Sequence, residues 1–201
     1  MSIINERLDR LKEEIQEEDF LAGKGLSNEA NIHIFCYDPK EEMIIRYYVS
    51  QLVVDQSLQC TIHERNLYNV FLSVCDERRL TDKIPMMEEK RGKDGLIKHL
   101  VGQEGKSGPA GIKAIVQKMN YFPHRYGDIV LITGVGASFP FVRVHSVLEA
   151  MQSQFADVPV VVMYPGKYDG RFVRLFDRLE PNPYYRAFNI IGADSSNNHV
   201  L

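Results

Sequence analysis

Apolar and polar positions along this chain fall into blocks, each with its own period. The first block places Ile4, Leu8, Leu11 and Ile15 at spacings of four, three and four. That is one narrow apolar seam on a charged helix over residues 2–18. Ser2 stands at its start as an N-cap, and Gly23 and Gly25 follow its end. The run IHIFCY (Ile32–Tyr37) reads as a short strand, Asp38-Pro39 breaks it, and residues 41–54 return to helical spacing through Met43, Tyr47 and Leu52. Residues 59–63 predict a second strand and Leu67–Glu77 a helix. From 80 to 119 the chain reads as helical and charged, interrupted by Pro85, Gly92, Gly95 and the GKSGPAG loop at 105–111. Asp128–Thr133 is a third strand, followed by a helix over 142–155. Residues 158–164 (VPVVVMY) form a fourth strand, so continuously apolar that it is expected at the centre of a sheet. A fifth is expected at 185–191.

Strands that alternate with helices, each apolar for nearly its whole length, predict a three-layer α/β fold. Its sheet is mainly parallel, with about five strands, and is covered on both faces. Right-handed crossovers then bring Asp38, Gly134 and Pro165 to one edge of the sheet. The expected organisation is one α/β domain over 1–201, with an N-terminal amphipathic helix at 1–22, a helical insertion at 80–120 and a polar tail at 192–201. The N-terminal seam either docks on its own domain or pairs in trans with a partner helix or a second copy.

Composition narrows the function classes. The chain is 44% apolar and 25% charged with a net charge of −3, an ordinary soluble balance that disfavours direct nucleic-acid binding. Cys36, Cys60 and Cys75 are odd in number and form no CxxC or Cys/His cluster, so they read as small buried hydrophobes. No basic segment leads into an apolar one near residue 1, and no apolar run approaches the ~20 residues that span a bilayer. A cytoplasmic location away from membranes is expected.

Candidate chemistry is sparse. Gly105-Lys106-Ser107 imitates the end of a P-loop, but position 100 is leucine where the pattern needs glycine, and Gly108-Pro109 would break the following helix. The first strand lies where an NTPase would carry its phosphate loop, yet Asp38-Pro39-Lys40-Glu41-Glu42 has no glycine and three carboxylates. That loop repels phosphate. The fold is therefore expected to be P-loop-NTPase-like or Rossmann-like with no functional Walker A. Asp38 with Glu41 or Glu42 has the oxygen chemistry of a hard-cation site, but a turn capping a helix accounts for them, and no metal or cofactor is expected. Gly134-Val135-Gly136 lacks the third glycine of a dinucleotide turn, since position 139 is phenylalanine. Pro140 suits a first helical turn, which sets Arg143 near a helix start where the macrodipole opposes a cation. Arg143 therefore either pairs with a carboxylate of the chain or meets an anionic ligand or partner. Tyr168, Tyr184, Tyr185 and Arg186 mark strand ends with interface-forming residue types. No nucleophile–base–orienter set and no metal-ligand histidine spacing is present, so no catalysis is expected.

The segments SIINERLDRLKEEI, IHIFCYDP, TGVGASFPFVRVHSVLEAM, MYPGKYDG and YYRAFNII together resemble the BrxB family of bacterial BREX (bacteriophage exclusion) defence systems. The likeness runs over essentially the whole chain. It implies a small α/β protein without a catalytic motif that helps restrict phage replication beside the BrxC ATPase, the PglX methyltransferase and the phosphatase-like PglZ. It supplies no catalytic residue. The expected function is a non-catalytic scaffold or adaptor whose contact candidates are Gly134, Gly136, Arg143, Tyr168, Tyr184, Tyr185, Arg186, Leu8, Leu11 and Ile15. The alternatives are a nucleotide- or nucleic-acid-binding regulator using the GVG turn and Arg143, or a hydrolase built on Asp38 and its neighbouring carboxylates.

Overall fold

The apolar runs pair with one another, and their pairing explains why they are apolar. The computed structural model describes residues 3–22, 31–103, 106–168, 172–179, 182–183 and 188–191. In chain order the elements are α1 (Ile3–Glu14), α2 (Glu18–Leu21), β1 (Ile32–Tyr37), α3 (Glu42–Val54), β2 (Thr61–Asn66), α4 (Leu67–Glu77) and α5 (Ile84–Val101). A hairpin of β3 (Gly102–Gln103) and β4 (Lys106–Ser107) follows, then α6 (Ile112–Met119), β5 (Asp128–Thr133), α7 (Val135–Ser138) and α8 (Val144–Met151). The chain closes with β6 (Val160–Tyr168), β7 (Phe172–Leu175), β8 (Asn182–Pro183) and β9 (Phe188–Asn189). Five strands lie in the order β2-β5-β6-β1-β9, every neighbouring pair parallel. β6 is central, as its unbroken apolar run requires.

Alternation along the strands sends side chains to two cores. Ile32, Ile34 and Cys36 of β1 face a cluster built with α4, α6 and α8 through Phe71, Ile115, Met119 and Leu148. Phe35 and Tyr37 face the other way, onto Ile45 and Val49 of α3 and onto Ile4, Leu8 and Leu11 of α1. The chain leaves β1 through α3 on the second face, crosses to β2 at the sheet edge, and returns through β5 and β6 with its helices on the first face. The reversal makes a topological switch at the carboxyl ends of β1, β6 and β5, where open α/β sheets form crevices.

Several expectations need correction. The second strand is Thr61–Asn66, paired from Thr61↔Asp128 to Asn66↔Thr133. As an edge strand it keeps polar side chains (His63, Glu64, Arg65) that hide it from an apolar search. Pro165-Gly166 does not end the fourth strand. β1 stops at Tyr37 opposite Pro165, and β7 then pairs antiparallel with the continuation of β6 from Gly166↔Leu175 to Tyr168↔Val173. A Cβ on Gly166 would stand 2.1 Å from the Arg174 carbonyl oxygen, so this glycine serves close strand approach rather than a turn.

The first helix ends at Glu14, and α8 begins at Val144 rather than 142, with Pro140 in the turn before it. The segment 80–120 lays Leu96, Leu100, Ile115 and Met119 into the same core as the sheet. The fifth strand is the pair Phe188–Asn189. Ser2, Gly23, Gly25, Gly105 and the tail 192–201 lie outside the described residues.

Candidate functional site

Two connections meet at the switch edge, and each is built by local rules. After β1, the exposed Asp38 carboxylate accepts the Lys40 backbone N–H at 2.9 Å and caps a 3-10 turn over Pro39–Glu41 that runs into α3. Glu42 accepts the Tyr37 hydroxyl at 2.5 Å and the Arg46 Nε at 2.8 Å. Burial, then the Glu42 carboxylate, hold the Tyr37 phenol protonated well above its usual range. These carboxylates are committed to capping and to protein partners. Among the described residues no group of three His, Cys, Asp or Glu side chains could hold a metal ion.

After β5, Gly134 takes φ +67° and starts α7. A Cβ there would lie 2.4 Å from Asn66 Oδ1, and one on Gly136 would lie 2.8 Å from the Phe176 ring. Asn66 holds that position because its Oδ1 also caps α4, accepting the Asn69 N–H at 3.2 Å. The GVG turn is thus filled by protein side chains and leaves no cradle for a phosphate. Ser138 is fully buried and donates to the Val135 carbonyl at 3.0 Å, a structural hydroxyl rather than a nucleophile.

Arg143 is the N-cap residue of α8 with an extended backbone and no side-chain cap bond. It is exposed, and among the described residues no carboxylate pairs with it. It stands on the rim of a cavity of about 280 Å³ whose walls are mostly apolar: Val135, Phe139, Val142, Val144, Tyr164, Leu175 and Leu179. His145 is the other polar wall. Burial lowers its pKa, Glu149 opposes that and Arg143 adds to it, and among the described wall residues Arg143 is the one Lys, Arg, Asp or Glu. A smaller polar cavity of about 190 Å³ opens on the opposite face of the sheet, under α3. There Thr133 Oγ1 donates to Glu64 Oε1 at 2.6 Å beside Asn66, Tyr37 and Arg46.

The structure therefore brings Gly134, Gly136 and Arg143 to one edge, the glycines as scaffold and the arginine as the presented group. Tyr168 is half-buried and packs on the first core, opposite Val173. Leu8, Leu11 and Ile15 are 2%, 1% and 2% exposed, their seam spent on the chain's own second face, so it offers no contact surface. Tyr184, Tyr185 and Arg186 lie outside the described residues. Sequence reasoning missed Tyr164, Leu175 and Leu179 as cavity walls. The strand reading of 158–164 contained Tyr164, but nothing in the pattern signalled that β7 would fold back on β6 and bring Leu175 to the cavity.

Comparison with known proteins settles the family. The family model described as BREX protein BrxB matches residues 63–190. The chain belongs to the BrxB family. It is 37% identical over 197 residues to the BREX protein BrxB of Bacillus cereus (strain H3081.97), covering 95% of this chain and 99% of that one. It is 28% identical over 193 residues to the BREX protein BrxB of Escherichia coli O9:H4 (strain HS), covering 94% and 92%. No solved structure matches it. The BrxB match runs from β2 through β9, so it contains the whole apolar cavity and Arg143 but not α1. No helix of the described residues is long and apolar enough to cross a membrane.

Proposed function

We propose that this chain is a non-catalytic adaptor in a BREX phage-defence assembly, acting in the cytoplasm and holding a partner protein at the switch edge of its sheet. One observation carries the reading: an apolar cavity of about 280 Å³ with an arginine on its rim that no carboxylate pairs among the described residues. A cavity of that size admits one or two side chains rather than a drug-sized cofactor. The matching partner is an apolar side chain with a carboxylate beside it, because Arg143 then gains the paired anion it lacks among the described residues. The frame is P-loop-NTPase-like in strand use, with its phosphate position taken by the Asp38 cap and the Tyr37–Glu42 bond. Candidates for the partner are the other BREX components: the PglZ-like protein, the BrxC ATPase and the PglX methyltransferase.

The test is co-purification of the tagged chain with each component in turn. Arg143→Glu and Leu179→Asp should each reduce recovery of the bound component at least ~10-fold, about 1.4 kcal/mol, with the melting temperature of Arg143→Glu unchanged. Undiminished recovery with both variants, or no component recovered by the unaltered chain, removes the adaptor reading.

A further inference from the structure

The sequence RGKDGLIKHLVG (residues 91–102) ends α5 and leads into β3. Gly92, at φ +67°, breaks the helix, and the following turns carry glycine at 95 and 102 between basic residues. A Cβ on Gly95 would stand 2.8 Å from Arg91 Cβ, so the missing side chain leaves room beside the arginine. The β3–β4 hairpin then folds back on the helix end: Gly108 N donates to Val101 O at 3.1 Å and Ala110 N to Leu100 O at 2.7 Å. A Cβ on Gly108 would lie 2.5 Å from the Leu100 carbonyl oxygen, so only glycine permits this approach.

The result is an open cleft of about 450 Å³. Its walls include Arg91, Lys98, His99, Ser107 and the three glycines 95, 102 and 108, and among the described residues no carboxylate. Arg91 and Lys98 are exposed and His99 half-buried, and none of the three has an ion pair or side-chain hydrogen bond among the described residues. Between 78 and 120 the chain carries ten basic and five acidic residues, although its net charge is −3. The acidity of the rest of the chain conceals a basic layer.

We propose that this cleft binds the phosphodiester backbone of a nucleic acid without reading its sequence. Two cations, Arg91 and Lys98, with no ion pair among the described residues, stand with the His99 imidazole around a glycine floor and suit phosphate oxygens, which come close to backbone N–H groups and pair with point charges. The named walls hold no Phe, Tyr or Trp ring on which a base would stack, so the geometry favours a polynucleotide over a free nucleotide.

Fluorescence anisotropy of the full chain with a labelled single strand and a duplex, each of about 20 nucleotides per strand, tests this, with ATP and inorganic phosphate as competitors. Binding should be detectable at low salt and fall steeply as salt rises. Arg91→Ala with Lys98→Ala should weaken it at least ~10-fold and flatten the slope of log K against log salt by ~1.4 to 1.8. Lys40→Ala, exposed at the switch edge, should change nothing. The double variant should melt at the wild-type temperature, and Lys98→Gln alone should give roughly half the slope change, ~0.7 to 0.9. The proposal falls if neither oligonucleotide binds up to ~100 µM protein, if the double variant binds as the unaltered chain does, or if ATP competes as well as equal oligonucleotide phosphate. Partner recovery through Arg143 is a separate readout and should be unaffected.

Discussion

At Gly134 two constraints meet, a positive φ and a close neighbour where a Cβ would stand. Gly127 and Gly134 both have positive φ, +88° and +67°, but the nearest atom to a Cβ on Gly127 is 3.7 Å away, against 2.4 Å at Gly134. Gly127→Ala should therefore cost only the backbone strain, about 1 kcal/mol. Gly134→Ala must also displace Asn66 from its cap on α4 and should cost about 3 kcal/mol or more by chemical denaturation. Equal losses would mean that Asn66 relaxes freely. The thiols make a second residue-scale case. Burial pushes Cys36 up to about 12 and Cys60 and Cys75 up to about 11. At pH 7.5 a disulfide reagent should thus find no fast-reacting thiol until the chain is unfolded, when all three should react. The sequence reads all three as small buried hydrophobes, Cys36 and Cys60 in strands and Cys75 in a helix; the structure buries Cys36 and Cys75 and leaves Cys60 half-buried just before β2.

Among the elements, α1 changes meaning most between sequence and structure. Its four-three-four seam looks the same whether the helix docks at home or on a partner, because periodicity fixes which face is apolar and not what covers it. The structure docks it at home. Tyr48 donates to the Leu8 carbonyl at 2.7 Å, Arg7 donates to the Cys36 carbonyl at 2.6 Å with its guanidinium 4.7 Å from the Phe35 ring centre, and Lys12 pairs with Asp55 at 2.6 Å. Leu8→Ala should then destabilise the chain by roughly 2–5 kcal/mol, as for a buried core leucine. Removing residues 1–20 should uncover Phe35, Leu131 and Met163 and lower the melting temperature sharply. If the truncated chain melts normally, α1 is an appendage after all.

For the molecule as a whole, acid is the expected weakness. Burial lowers His33 from its ordinary 6.5 to about 4. An unfolded chain protonates this imidazole first, so stability declines as pH falls from about 6.5 toward 4 and His33→Gln should flatten that slope. Asp128 acts at lower pH. Burial alone would raise its pKa, but the Arg125 N–H, His63 and the Tyr121 hydroxyl outweigh burial and hold it below the usual carboxylate range. Its contribution is present above the ordinary carboxylate pKa and is lost as pH falls through the depressed one. Denaturation curves between pH 7 and pH 3 for the unaltered chain, His33→Gln and Asp128→Asn separate the two.

What the sequence determined is whatever depends on local periodicity and residue chemistry. Unbroken apolar runs at Asp128–Thr133 and 160–164 can only be strands buried on both faces, and an Asp-Pro-Lys-Glu-Glu connection cannot cradle phosphate. The segments around GVG and FPFVR carry the resemblance to the BrxB family, which the family model and the relatives show. Tertiary structure alone decided everything that depends on which surfaces meet. It paired polar Thr61–Asn66 with β5, carried β6 through Pro165-Gly166 by supplying β7 as a partner, spent the α1 seam internally, and filled the GVG turn with Asn66 and Phe176. It also left Arg143 without a carboxylate partner among the described residues and gathered Arg91, Lys98 and His99 around one cleft. Periodicity is set within a few residues of chain, whereas a surface is free or covered only once distant segments have packed.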